Sequence, residues 1–210
     1  MERLQAEYDK MVTQIEEISK TRVRVFLDDA SAFVVYRGEL HSFHIREGEE
    51  LSQESYRSIM EEVLPRRAKL RAMNLLKSRA YTVKQLHDKL KAGGYPEEII
   101  AQALNYVGSY RYTDDLQYAV SFIRNQTERR SRRRIELDLL GRGISQSVLE
   151  EAWSLWEEEG GLQDEEGMIS SLLEKKGFDR EHADQKQRQR MYGFLMRRGF
   201  PAEAVRRAVL

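Results

Sequence analysis

The sequence predicts a mainly α protein in which three tandem three-helix, helix-turn-helix-like units follow a small antiparallel β segment and a linking helix. Three observations carry this. Apolar residues recur at helical spacing around three glycines, Gly94, Gly143 and Gly199. The first quarter of the chain alternates instead at strand spacing. Only three prolines and thirteen glycines in 210 residues leave little room for long loops.

The glycine anchors define the repeat. Four residues before them stand Leu90, Leu139 and Leu195, and eight before stand Leu86, Ile135 and Met191. Residues four apart share a helical face. After each glycine comes an apolar residue (Tyr95, Ile144, Phe200), then Pro96, Ser145 or Pro201, then Ile99-Ile100, Val148-Leu149 or Ala204-Val205. Glycine takes the left-handed conformation that closes a helix, proline fits the next helix's first turn and serine its N-cap. Each unit therefore reads as a tight helical hairpin. Thr82 and Gln85 form a capping-box pattern twelve residues before Gly94, and Ser131 is the counterpart before Gly143. Leu70–Lys77, Leu116–Arg124 and Met168–Lys175 supply a third helix per unit. Anchors 49 and then 56 residues apart call for a longer connection before the last hairpin, expected around Gly160–Gly167. The division is residues 1–64, 65–111, 112–160 and 161–210. Units of this size cannot each build a large core and should stack into an elongated, curved body.

In residues 1–64, Arg22–Leu27 alternates as a strand, Asp28-Asp29 turns, and Ala32–Tyr36 returns. Arg37-Gly38 is read as a second turn into a third strand, Leu40–Ile45. Ser52 caps a helix through Val63, with Leu51 placed to staple Tyr56. Met1–Lys10 reads as an extension, with Met11–Ile15 as the start of the structured part.

Charge is segregated beneath a net of zero. Through Leu64 the chain carries 8 basic and 14 acidic residues; Glu150–Glu166 holds eight acids and no base, and Lys175–Arg198 eight bases and three acids. Five arginines crowd Arg129–Arg134 where a helix begins, although the positive end of a helix dipole disfavours them by about 0.3–1 kcal/mol each. Pairs Arg132–Glu136 and Arg134–Asp138 account for two of them, leaving three for an anion. Without cysteine there are no disulfides or thiolate metal sites. No apolar run approaches a membrane span and the beginning lacks a signal-peptide core, so a cytoplasmic protein is expected.

Catalysis finds no credible residue set. His41 and His44, on the expected third strand, would face opposite ways and make a poor metal site. Asp114-Asp115 reads as a helix cap rather than a two-metal nuclease site. No phosphate-binding loop or nucleophile elbow appears, and no cofactor is implied. Tyr106, Tyr110, Tyr112, Tyr118 and Phe122 read as core and hinge packing rather than base-stacking residues, and Trp153 and Trp156 as packed neighbours.

The motifs, taken in order, resemble those of the RecX regulatory proteins, which restrain the bacterial recombinase RecA. Arg79-x-x-Thr82-x-x-x-Leu86-x-x-Lys89-Leu90 is similar to the family's R-x-x-[ST]-x-x-E-L-x-x-K-L, with Gln85 in place of glutamate. Arg134-Ile135-x-x-Asp138-Leu139-x-x-Arg142-Gly143-Ile144, preceded by Tyr112-Thr-Asp-Asp115-x-x-Tyr118-Ala119, matches R-I-x-x-E-L-x-x-K-G-I. Phe194-Leu-Met-Arg-Arg-Gly-Phe200 matches the L-x-R-R-G-F ending. TERRSRRR replaces the glycine-containing stretch usual before the second hairpin. The resemblance spans about Arg22 to the C-terminus. It implies a non-enzymatic, monomeric modulator that lies on the RecA–DNA filament and limits its ATPase, strand exchange and coprotease activities in DNA repair and the SOS response. Arg129, Arg130, Arg132, Arg133, Arg134, Arg142, Arg197 and Arg198 are the expected contacts to filament or DNA, single- or double-stranded, with weak sequence preference. A transcription factor reading the major groove through one hairpin helix is the alternative.

Overall fold

A computed structural model describes residues 10–28 and 30–210. The chain divides into two units, one ending at Thr113 and the other Asp114–Leu210.

In the first unit, strands β1 (Lys10–Glu17), β2 (Arg22–Leu27), β3 (Ala30–Tyr36) and β4 (Glu50–Leu51) form an antiparallel sheet of order β3-β2-β1-β4. Alternation decides which face is covered: Val23, Val25 and Leu27 of β2 and Phe33 and Val35 of β3 are buried. Asp28 takes a left-handed φ of 51°, consistent with the expected turn; its neighbour Asp29, like Met1–Asp9 of the expected extension, lies outside the described residues.

The expected third strand is not one. Arg37–Ser42 is a short helix, α1, and His44 has a φ of 53°. Glu39 explains the change. Its Oε2 accepts from the Tyr36 amide at 2.8 Å, and its carboxylate pairs with Arg67, so the chain turns into a helix just after β3. The His41 and His44 rings are then close, 6.5 Å between centroids, rather than on opposite faces. Among the described residues no group of three or more metal-ligating side chains gathers there or elsewhere.

Helix α2 (Gln53–Ser58) begins at Ser52, whose Oγ accepts from the Ser55 amide. A π-helical turn, Ile59–Val63, leads into α3 (Leu64–Ser78), the Leu64 amide bonding to the Ile59 carbonyl. The helical backbone thus passes residue 64 without a break. Helices α4 (Val83–Ala92) and α5 (Glu97–Ser109) complete the first hairpin, with Thr82 and Gln85 forming the expected capping box. A single core runs from Val12 of the sheet through Ile59, Leu64, Leu86 and Leu90 to Val107 of α5.

The second unit contains two further triplets: α6 (Asp115–Gln126), α7 (Arg132–Gly141) and α8 (Gln146–Glu158), then α9 (Glu165–Lys175), α10 (Gln185–Arg197) and α11 (Ala202–Val209). Their cores centre on Ile135, Leu139 and Trp153, and on Met191, Leu195 and Val205. Asp114 caps α6, its Oδ1 accepting from the Gln117 amide at 2.9 Å, as read from the sequence. The longer third spacing is taken up mainly in the Lys176–Asp184 connection and in a longer α10, rather than at Gly160–Gly167; the α10 cap is Asp184, fifteen residues before Gly199.

The three anchor glycines share one geometry. Gly94, Gly143 and Gly199 have φ of 85°, 88° and 84°. In each, the glycine amide bonds three residues back, and the following apolar residue's amide reaches five back, to the carbonyl of Leu90, Leu139 or Leu195. This is the Schellman closure, which also brings the two apolar side chains together. It explains why the repeat keeps a leucine four before and an apolar residue one after the glycine.

Helix α5 closes in the same way with arginine at the left-handed position: Arg111 has φ 54°, its amide bonds to the Gly108 carbonyl, and that of Tyr112 to Val107. The left-handed conformation costs a side-chain-bearing residue roughly 1–2 kcal/mol, partly offset by glycine's greater loss of freedom on folding. Arg111→Gly should therefore stabilise the first unit by about 0.5–1 kcal/mol, read as an upward shift in the urea midpoint at unchanged m. The nearby aromatics differ from expectation. Tyr106 is half-buried, but Tyr110 and Tyr112 are exposed and stack on each other, 5.8 Å between centroids.

Candidate anion-binding interface

The start of α7 is set by Ser131, which is buried. Its Oγ accepts from the Arg134 amide at 3.3 Å and donates to the Arg198 carbonyl at 2.7 Å. One hydroxyl thus caps α7 and fastens it to the end of α10. Gly199 lies against the same point: a Cβ there would come within 2.9 Å of Ser131 Oγ. Sequence neighbours follow their anchors, so Arg129 and Arg130 before the cap, and Arg197 and Arg198 at the end of α10, are brought together. With Arg134, Ser131 and Phe200 they line an open hollow of about 390 Å³ within the second unit.

The eight arginines singled out from sequence do not all belong to it. Arg129, Arg130, Arg134, Arg197 and Arg198 line the hollow. Arg132 turns elsewhere: its guanidinium pairs with Glu136 at 3.2 Å and Glu157 at 2.8 Å and lies 4.3 Å from the Trp153 ring centroid. Arg142 donates to Tyr118 Oη at 2.7 Å and covers the Phe122 ring. Arg133 is exposed beside Gly199 without lining the hollow.

Internal pairing reaches further than the two expected pairs. Both are present, Arg134 meeting Asp138 at 3.3 Å, and Arg130 joins the same Asp138 from beyond the helix start. Among the described residues, Arg129, Arg133 and Arg197 have no carboxylate within ion-pair distance, and the Arg198 guanidinium lies over the Phe194 ring at 4.6 Å. The helix end is also partly satisfied from inside. Glu165, the first residue of α9, accepts from the Arg132 amide at 2.8 Å, placing a carboxylate at the positive end of the α7 dipole. Gln163 Nε2 donates to the Arg130 carbonyl at 2.7 Å and steadies the preceding turn. A crowd of arginines at this helix start is tolerable because Glu165, Glu136, Glu157 and Asp138 surround it. Attraction for an outside anion then rests on the guanidinium groups rather than on free helix amides. The mutual arrangement is suited to phosphate or carboxylate oxygens, which guanidinium forks bind in pairs.

Sequence reasoning missed three contacts: Ser131 to the Arg198 carbonyl, Gln163 to the Arg130 carbonyl, and the Arg132 amide to Glu165. The capping serine was legible; the three contacts span 33 to 67 residues and leave no periodic signal.

Among the described residues no helix is long and apolar enough to cross a membrane. Three family descriptions match in sequence order: the RecX first three-helix domain over residues 68–106, the second over 114–152 and the third over 164–209. The regulatory protein RecX of Caldanaerobacter subterraneus subsp. tengcongensis is 30% identical over 202 residues, covering 95% of this chain and 98% of its own. That of Clostridioides difficile is 24% identical over 205 residues, covering 95% and 94%. A crystal structure of regulatory protein RecX has the same fold, with a TM-score of 0.59 at 24% identity over 93% of this chain and 96% of that one. RecX from Lactobacillus salivarius matches at a TM-score of 0.55 and 20% identity, over 70% and 94%. With three consecutive domain matches and a relative aligned almost end to end, the chain belongs to the RecX family of regulatory proteins.

Proposed function

We propose that the chain binds the RecA recombinase assembled on DNA and mostly inhibits its ATPase, strand-exchange and coprotease activities, acting in the cytoplasm without catalysis of its own. The observation that carries this reading is the meeting of Arg129, Arg130 and Arg134 with Arg197 and Arg198, two segments more than sixty residues apart, around one open hollow. The eight arginines proposed from sequence divide accordingly. The five at the hollow contact the filament directly, Arg133 adds charge at its margin, and Arg132 and Arg142 brace the helices that carry them. A nucleoprotein polymer offers regularly spaced phosphates and acidic side chains, and several modest contacts on one rigid unit gain strength together.

The test is the DNA-dependent ATPase of RecA titrated with this protein at substoichiometric ratios. Inhibition or remodelling of the filament is expected. Arg129→Gln/Arg197→Gln/Arg198→Gln should raise the concentration for half-inhibition on the order of tenfold or more. It should also flatten the salt dependence of filament binding, by a slope of up to about 3 if all three meet duplex phosphates. A triple variant that inhibits as well as the parent removes this surface from the mechanism. Strong preference for one duplex sequence over random DNA would favour a transcription factor instead.

A further inference from the structure

A second cationic site lies in the first unit and uses none of the eight arginines singled out from the sequence. β2 and β3 place Arg22 directly opposite Tyr36. Helix α3 places Arg67 and Arg71 four residues apart on one face, and α4 contributes Lys89 near its end. These residues, with Tyr95 just after the first anchor glycine, line an open hollow of about 600 Å³. Arg67 is held by Glu39 and lies 4.5 Å from the Tyr36 ring centroid. Arg22, Arg71 and Lys89 are exposed and, among the described residues, have no carboxylate within ion-pair distance. Burial raises the Tyr95 phenol above its ordinary pKa, while Arg67, Arg71 and Arg22 pull the other way, so all three guanidinium groups act at the same place.

We propose that this hollow binds a single-stranded nucleic acid, with phosphates on Arg22, Arg71 and Lys89 and a base against Tyr36. Two features favour a strand over other polyanions. Tyr36 is 47% exposed despite its ring's size, and it stands among the cations rather than apart from them. Cations alternating with an accessible aromatic face are what an unpaired strand requires, since every base has a π-face and every nucleotide a charge. An acidic peptide would use the cations and gain nothing from the part of the ring that Arg67 leaves open. A duplex keeps its bases stacked inside and would leave it equally idle. The site is independent of the proposed filament contacts, being built from a different unit.

The experiment uses the full chain and a fluorescein-labelled oligothymidine, followed by anisotropy across a salt series. It is run in the parent and in an Arg197→Gln/Arg198→Gln background, so that loss of the other surface is recognised separately. Arg22→Gln/Arg71→Gln/Lys89→Gln should weaken binding on the order of tenfold in both backgrounds and reduce the salt slope by about 2, near 0.7 per phosphate on a single strand. Tyr36→Leu should weaken oligothymidine binding about fivefold or more, the loss of one stacked base, while leaving binding of inorganic polyphosphate unchanged. Arg71→Gln alone gives a smaller loss of the same kind. Unchanged affinity and slope in the triple variant would overturn the site. An unchanged Tyr36→Leu variant, or polyglutamate or duplex competing better than oligothymidine, would overturn its assignment to an unpaired strand.

Discussion

Gly94→Ala should destabilise the first unit by about 3 kcal/mol or more. Two causes add. The left-handed φ of 85° costs alanine roughly 1–2 kcal/mol. A Cβ at Gly94 would also stand 2.2 Å from Val34 Cγ2 and 2.9 Å from Val34 Cβ. Relief of such an overlap by backbone movement typically costs about 1–3 kcal/mol. Gly160→Ala separates the causes, since Gly160 has the same φ of 85° with nothing within 4 Å of its added Cβ. It should lose only the conformational part. Val34→Ala combined with Gly94→Ala should recover part of the steric cost, giving a favourable coupling of about 1–2 kcal/mol in a double-mutant cycle by urea unfolding. Equal losses for the two glycine variants would show that the strand does not press on the turn.

Trp153→Ala should cost the second unit about 3–5 kcal/mol, the usual penalty for truncating a buried tryptophan. Trp153 is 2% exposed, meets Trp156 edge-on at 5.5 Å between centroids, and forms the floor beneath the Arg132 guanidinium. Urea unfolding followed by far-ultraviolet circular dichroism measures the loss directly. A second variant, at the arginine above this ring, examines the division of labour among the arginines. If Arg132 braces α7 against α8, Arg132→Gln should reduce stability measurably and leave filament binding nearly intact at temperatures where the protein is folded. Loss of binding without loss of stability would return Arg132 to the contact surface.

The hairpins were legible because their signals are local. Each anchor closure is marked by a glycine, the leucine four before it and the apolar residue after it, all within six positions, and the caps Thr82 and Ser131 fall at a constant offset. Where the third unit lengthens α10, the offset fails and Asp184 takes over. The N-terminal region was harder for the converse reason. Leu40–Ile45 alternates loosely enough to suggest a strand, yet Leu40 and Phe43 also stand three apart, and both are half-buried against the core. What decides is Glu39 reaching the Tyr36 amide and Arg67, the latter 28 residues away. β4, two residues long, exists only because Lys10 and Met11 lie beside it. The arginines were visible as a run, but their sorting was not. Arg130 reaches Asp138 across a helix start, and Arg132 finds Glu157 twenty-five residues on, so a rule of four-residue spacing undercounts their partners.

The core shared by the sheet and the first helical triplet has a consequence for how the protein is made. Val12, Val25 and Phe33 belong to one buried cluster with Ile99, Ala103 and Val107, so these strands wait for some seventy further residues before that core is complete. Domains tend to fold as units during synthesis, and unpaired strand edges are sticky in the meantime. The sheet is therefore the segment most in need of a chaperone, whereas the hairpins after it can close as they emerge.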